Sequence, residues 1–313
     1  MTSPESTENS TATTIANELS IRDSQVEQAL KLLAEGNTVP FIARYRKEAT
    51  GGLDDAQLRH IEERNQYLTE LAERKGAVLE AIEEQGKLTD ELRAAILAAD
   101  TKARLEDLYL PYKKRRKTKA DIAREAGLEE LEQLLIDDPS ADPETLAERF
   151  TSEGFPDAKA ALEGARAILV DRFALDADLV GEVRDRVFAQ GTMRASVVEG
   201  KEADGAKFKD YFEFSEPFAK LPSHRILALL RGEAEGVLSL DFDPGDEAVY
   251  EGMIVRAFDL PDSEWVNKAV RWGWRTKLQV SANLDTRMRL KEVAEAGALE
   301  VFKTNLRDVL LAA

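Results

Sequence analysis

The sequence predicts a mainly α fold with at most one or two short strands. Three observations predict it. Ala, Leu and Glu dominate the 313 residues, and all three are good helix formers. Apolar side chains recur at spacings of three, four and seven over most of the chain, which is the period of one helix face. One stretch alone, Val237-Leu238-Ser239-Leu240-Asp241-Phe242, alternates as a strand does.

The elements follow in order. Residues 1–13, rich in Ser, Thr and Glu, are expected to form a disordered tail. Residues 14–35 suggest two helices, the second capped by Ser20 or Asp23 and striped by Val26, Leu30 and Leu33. Pro40 suits the first turn of the next helix, which Gly51-Gly52 ends. Leu58, Ile61, Leu68, Leu71, Val78 and Ile82 define a long helix over about 54–85, roughly 48 Å at 1.5 Å per residue. Short helices are expected at 89–98, 102–110, 119–126 (capped by Thr118) and 128–136. Asp157 and Asp176 cap two more, to about 174 and 190. Residues 192–222 are less regular and hold Phe208, Tyr211, Phe212, Phe214 and Phe218. Helix resumes at 223–233 and from 246 onward, with turns near Pro261 and Ser281.

The length suggests about two domains. The stretch Asp137-Asp138-Pro139-Ser140-Ala141-Asp142-Pro143 reads as the linker between them, giving an N-terminal lobe at 14–136 and a second lobe at 144–313. The absence of cysteine removes disulfides, thiol nucleophiles and Cys-based zinc sites, and fits a reducing, cytoplasmic setting. No apolar stretch approaches the roughly 20 residues needed to span a bilayer, and the first residues lack the features of a secretory signal. No membrane partner is expected.

Charge supplies the sharpest functional signal. The chain holds 43 Lys+Arg against 60 Asp+Glu, a net charge of −17. Such a chain repels phosphate polymers, yet Lys113, Lys114, Arg115, Arg116, Lys117 and Lys119 fall within seven residues. Clustered ammonium and guanidinium groups displace counterions from a polyanion, so phosphate contact is one reading. The other is a solvated loop that balances nearby acids. Arg44, Arg46 and Lys47, beside Phe41 and Tyr45, form a second cationic group.

Catalytic and metal-binding patterns fail on inspection. Gly200 and Gly205 have phosphate-loop spacing, but Ala206-Lys207-Phe208 follow where Lys and Ser/Thr belong, so a turn is expected. Asp241, Asp243, Asp246 and Glu247 hint at calcium, yet an EF-hand frame from Asp241 puts Asp246 where glycine is required and Gly252 where Glu is required. His60 sits among charges in the long helix, and His224 beside Ser223 lacks the orienting acid and oxyanion hole of a triad. No enzyme activity, cofactor or metal is expected. Lys268, Arg271, Trp272, Trp274, Arg275 and Lys277 interleave bases and rings. Stacking on nucleobases is conceivable, but core burial of one Trp face under Arg stems is favoured.

Three strings add a resemblance. They are 38–54 (Thr38-Val39-Pro40-Phe41-Ile42-Ala43-Arg44-Tyr45-Arg46-Lys47 and onward through Asp54), 105–120 (Leu105-Glu106-Asp107-Leu108-Tyr109-Leu110-Pro111-Tyr112 and the basic run), and 222–238 (Pro222-Ser223-His224-Arg225 through Leu238). Together they resemble the N-terminal half of the bacterial Tex family of transcription accessory proteins, from about residue 15 to the C-terminus. The resemblance implies an elongated multi-helix scaffold with a helix-turn-helix-like N-terminal region. In full-length members an RNase H-like domain, a helix-hairpin-helix domain and an S1 RNA-binding domain follow. The chain ends about where the first of these is expected, so a fragment is inferred. The implied function is a nucleic-acid-binding transcription accessory role. The nine basic residues named above would contact RNA or DNA phosphate, weakly in this half, with transcription or ribosomal proteins as partners. The alternative is a protein-interaction scaffold without direct nucleic-acid contact.

Overall fold

The computed structural model describes residues 4–114, 116–203 and 205–312. The chain divides into two compact units, Met1–Tyr109 and Leu110–Ala313. Among the described residues there are fifteen α-helices and one three-stranded antiparallel sheet, so the chain is mainly α.

The first unit contains α1 (Pro4–Leu19), α2 (Asp23–Ala34), α3 (Val39–Tyr45), α4 (Asp55–Glu83), α5 (Asp90–Ala98) and α6 (Lys102–Tyr109). Helix α1 takes in residues that the sequence placed in a tail. Its buried Ala12, Ile15 and Ala16 face a core of Val26, Ala29, Ile42, Leu53, Leu58 and Ile61. Thr38 is the N-cap of α3, with Pro40 in its first turn. The chain then reverses through Gly51 (φ 63°) and Gly52 (φ 92°), a left-handed conformation that glycine adopts without a side-chain clash. Gln25 Nε2 donates to the Gly51 carbonyl at 3.1 Å and holds this turn against α2. Asp54 accepts from Gln57 N at 2.8 Å while Gln57 Oε1 accepts from Asp54 N at 3.1 Å. That reciprocal cap starts α4, which extends about 43 Å. Its inner face continues through the buried Leu71, Val78 and Ile82. Arg64 pairs with Glu18 at 2.8 Å, and His60 lies exposed 3.9 Å from the same carboxylate.

The second unit contains α7 (Lys119–Glu125), α8 (Leu128–Asp137), α9 (Pro143–Ala147), α10 (Ala158–Leu175), α11 (Ala177–Gln190), β1 (Thr192–Val197), β2 (Glu213–Pro217), α12 (Ser223–Ala234), β3 (Leu238–Asp243), α13 (Glu247–Phe258), α14 (Glu264–Gly273) and α15 (Gln279–Ala312). Helix α10 is its axis. Ala161, Gly164, Ala165, Ile168, Leu169, Val170 and Phe173 are buried, and α7, α8, α9 and α14 pack around it. The 137–143 segment joins α8 to α9, both of which rest on α10. Asp157 and Asp176 accept from Ala160 N and Leu179 N at 2.7 and 2.8 Å and cap α10 and α11. At the head of α12 Pro222 is the cap position and Ser223 is the first helical residue.

The sheet corrects the expected number of strands. Three are present, in the order β2-β1-β3, with Met193 paired across to Glu216 on one side and Phe242 on the other. Met193 and Ala195 of β1 face the core with Leu238 and Phe242 of β3. The Phe/Tyr-rich stretch closes this end. Phe208 and Phe218 are buried, Tyr211 meets Phe214 edge-on at 5.4 Å, and Phe218 lies 5.8 Å from Phe242. A second correction concerns Ser281. No turn occurs there. Instead a π-helical turn at Trp274–Leu278 links α14 to α15, and Ser281 lies within α15.

Gly191 sits where α11 hands over to β1. A Cβ there would stand 2.6 Å from the Val187 carbonyl oxygen, 2.9 Å from that of Asp243 and 2.5 Å from the Phe218 ring. Two of these three walls are backbone and yield little. Gly191→Ala is expected to destabilise the second unit by about 1–3 kcal/mol, toward the upper end, as forced overpacking does. Thermal unfolding followed by circular dichroism measures it, and an unchanged midpoint would show that the junction is looser than these distances imply.

Candidate nucleic-acid interface

The basic run leaves a 3₁₀ turn at Leu110–Tyr112 and ends at the cap of α7. Both ends are held. Lys113 N donates to the Leu110 carbonyl at 3.4 Å. Thr118 N donates to Asp121 Oδ2 at 2.8 Å, and Asp121 N donates to Thr118 Oγ1 at 3.2 Å. Asp121 is the reason this end is fixed, because it completes a capping box with Thr118. Between the anchors Lys114, Arg116, Lys117 and Lys119 are exposed and Lys113 is half-buried. Arg115 lies outside the described residues. Lys117 Nζ pairs with Glu125 at 2.7 Å, with both side chains more than half exposed. An exposed pair of this kind contributes at most about 1 kcal/mol, so a phosphate can displace the carboxylate at little cost.

The second cationic group lies in the first unit. Arg44, Arg46 and Lys47 are all exposed around the end of α3. The Phe41 and Tyr45 rings beside them are also exposed, with centroids 5.3 Å apart, and the Arg46 guanidinium stands 5.9 Å from the Phe41 centroid. The helix places Phe41 and Tyr45 four residues apart on one face. Cations and exposed rings together can hold phosphate and stack on a base.

The expected burial of one tryptophan is met by Trp274, while Trp272 stays half-exposed. Trp274 is fully buried and stacks on Tyr250 at 4.3 Å. Trp265 is 9% exposed, while Trp272 is 52% exposed. Three of the bases around them are paired with acids. Lys268 pairs with Glu264, Arg271 with Glu251 and Arg275 with Glu247, at 2.6, 3.6 and 2.7 Å. Trp272 is the member of this segment whose exposure keeps it a functional candidate. Helical phase carried the signal: Trp272 falls two residues before Trp274, which on a helix is close to the opposite face.

The other candidates have structural work. Gly200, Glu202, Ala203 and Gly205 lie in turns, with Gly205 close against Val237. Asp246 caps α13 by accepting from Ala248 N at 3.0 Å, Glu247 holds Arg275, and Asp243 pairs with Arg194. Among the described residues no group of three or more His, Asp or Glu side chains is arranged to hold a metal ion, and no helix is long and apolar enough to cross a membrane.

The fold defines a class of helical chain in which two compact helix-rich units are joined in sequence and the second carries a small antiparallel sheet. Residues 9–83 match the Tex-like protein N-terminal domain, and residues 138–302 match the Tex central region. The chain belongs to the Tex family. It is 52% identical over 307 residues to the transcriptional accessory protein Tex of Neisseria gonorrhoeae, covering 96% of this chain and 41% of that protein. It is 49% identical over 313 residues to protein YhgF of Escherichia coli, covering 96% and 40%. It is 28% identical over 298 residues to the human S1 RNA-binding domain-containing protein 1, covering 90% and 30%. The chain thus spans about two fifths of the length of its bacterial relatives.

Proposed function

We propose that this chain is the helical scaffold of a transcription accessory protein and that its basic run contacts the phosphates of a nucleic acid. One observation carries the reading: at least four exposed cations stand on a short segment fixed at both ends, in a chain whose net charge is −17. Fixed ends reduce the entropy lost when the cations engage, and the surrounding acids disfavour approach anywhere else. The names of the bacterial and human relatives support transcription and RNA as the setting. The role is binding and positioning rather than catalysis. Contacts of this type hold a phosphate backbone without reading bases. Arg44, Arg46 and Lys47 are the secondary contacts.

The test replaces Lys113, Lys114, Arg115, Arg116, Lys117 and Lys119 with Gln and follows binding to RNA and DNA against salt. Engagement of part of the run gives log K a slope of about −2 to −4 against log salt in the parent. The variant is expected to flatten that slope and to lose at least about tenfold in affinity at low salt. Unchanged binding removes the assignment. The Lys117–Glu125 pair favours a second reading, since it shows the run accepting a carboxylate. On that reading the run docks an acidic protein face. A complex with transcription or ribosomal proteins that survives nuclease, with no shift of nucleic acid in gels, would select it.

A further inference from the structure

A cleft of about 530 Å³ opens beside α10 in the second unit, within the roughly 300–1,000 Å³ range of ligand sites. Lys119 and Ile122 of α7, Arg166 of α10, and Trp272 and Lys277 line it. Trp272 is half-exposed, and the Arg166 guanidinium stands 4.9 Å from its ring centroid. Ile122 is 48% exposed and adds an apolar surface. Three cations thus meet an aromatic face in one concavity. Of the two acids that also line it, Glu163 and Asp171, the latter is held by Arg124 at 2.9 Å. The cleft therefore carries a local positive balance against the charge of the whole chain.

We propose that this cleft binds one nucleotide of a single strand, with the base stacked on Trp272 and phosphate held by Lys119 and Lys277. Three features select this occupant. A half-exposed indole offers a π-face that any base can stack on, and a guanidinium already over the ring adds to the same attraction. The lining cations match phosphate rather than an apolar peptide. Lys119 belongs both to the cleft and to the basic run, so a backbone lying along the run meets the cleft at a shared cation. A base inside a duplex cannot present its face to Trp272, so the cleft discriminates strands, which a purely electrostatic run does not. The inference rests on the phosphate-contact reading and extends it to strand preference.

The experiment measures binding of the whole chain to a short oligouridylate and to a duplex of equal length. Trp272→Ala and Lys277→Gln are compared with a run variant in which Lys113, Lys114, Arg115, Arg116 and Lys117 become Gln and Lys119 is kept. Trp272→Ala is expected to lose about tenfold in affinity for the oligouridylate, the scale of one lost stack, and to bind the duplex as the parent does. Trp272→Phe should recover much of that loss, and Lys277→Gln should weaken the oligouridylate in a chain that keeps its aromatic face. In the parent, oligouridylate should quench tryptophan emission, and Trp272→Phe should abolish most of the quenching because Trp265 and Trp274 are buried. Parent-like oligouridylate affinity in both Trp272→Ala and Lys277→Gln overturns the cleft assignment. If the run variant then loses both probes, the phosphate reading survives that failure. If the run variant binds both probes as the parent does, the phosphate reading falls instead. Equal quenching by an acidic peptide would also overturn the proposal and give the cleft to a protein partner.

Discussion

Replacing Trp274 with alanine is expected to lower the stability of the second unit by about 3–5 kcal/mol, the usual cost of deleting a fully buried indole. For a unit of this size that corresponds to a fall in Tm of about 6–20 °C. The reason is positional. Trp274 opens the π-helical turn between α14 and α15 and lies flat against Tyr250, with ring planes 1° apart. Tyr250 in turn donates its hydroxyl to the Pro244 carbonyl at 2.8 Å, which ties α13 to the end of β3. Removing the indole opens a cavity among helices that cannot all move in at once, and it frees the tyrosine ring from its stacking partner. Trp274→Phe keeps an aromatic surface there and should cost clearly less. The contrast with Trp272 is the useful control. Trp272→Ala removes a half-exposed ring and should change stability by no more than about 1 kcal/mol. Far-UV circular dichroism on heating measures both variants without relying on tryptophan emission. If the two substitutions cost the same, the difference in burial between the rings is not what holds this junction.

The two tryptophans also show how far the sequence was legible. Period and caps together located nearly every helix, and Asp54, Thr118, Asp157 and Asp176 each mark a start by a side-chain cap that is present in the structure. Strands β1 and β2 were missed for a physical reason. Thr192-Met193-Arg194-Ala195-Ser196-Val197 turns only Met193 and Ala195 to the core, and neither is a strong strand former. Glu213-Phe214-Ser215-Glu216-Pro217 is polar, ends in proline, and lies at the edge of the sheet, where it answers to one partner only. Their pairing, β2 with β1 and β1 with β3, is a long-range event that no local window carries. The turn expected near Ser281, where the helix in fact continues after a π turn at Trp274–Leu278, has a related reason. One extra residue in a helix shifts the apolar stripe sideways, and in a sequence this looks like a break. The cationic residues were legible as a cluster. The cleft beside them was not, since its walls come from α7, α10 and the stretch around Trp272 and Lys277, and no spacing rule joins residues that far apart.

Removing Arg172 is expected to cost about 3 kcal/mol at neutral pH, with a pH dependence that identifies its cause. Glu132 on α8 is 1% exposed at its side chain, and Arg172 Nη1 on α10 donates to it at 2.7 Å. Burial holds the Glu132 carboxyl above the usual carboxylate range, while the hydrogen bond and charge of Arg172 pull it partly back. Breaking a buried pair by removing one partner usually costs 3–5 kcal/mol, roughly. Arg172 itself is 40% exposed, so the lower end applies. The sign of the pH effect follows from the direction of the shift. A carboxyl whose folded pKa is raised contributes its full stability below its unfolded value, near 4.5, and loses that contribution as pH rises through the folded value. Without Arg172 the folded value rises further, so the variant is penalised most at neutral pH. The stability gap between Arg172→Ala and the parent should therefore narrow as pH falls from about 7 toward about 4.5. Replacing both partners with apolar residues of similar size, Glu132→Leu with Arg172→Met, removes the buried charge together with its counterion. That double variant should recover most of the loss at neutral pH. Urea unfolding at several pH values separates the possibilities. A gap that stays constant with pH would place the cost in lost packing of the Arg172 stem, whose guanidinium also lies 5.6 Å from the Phe258 ring, rather than in an uncompensated carboxylate.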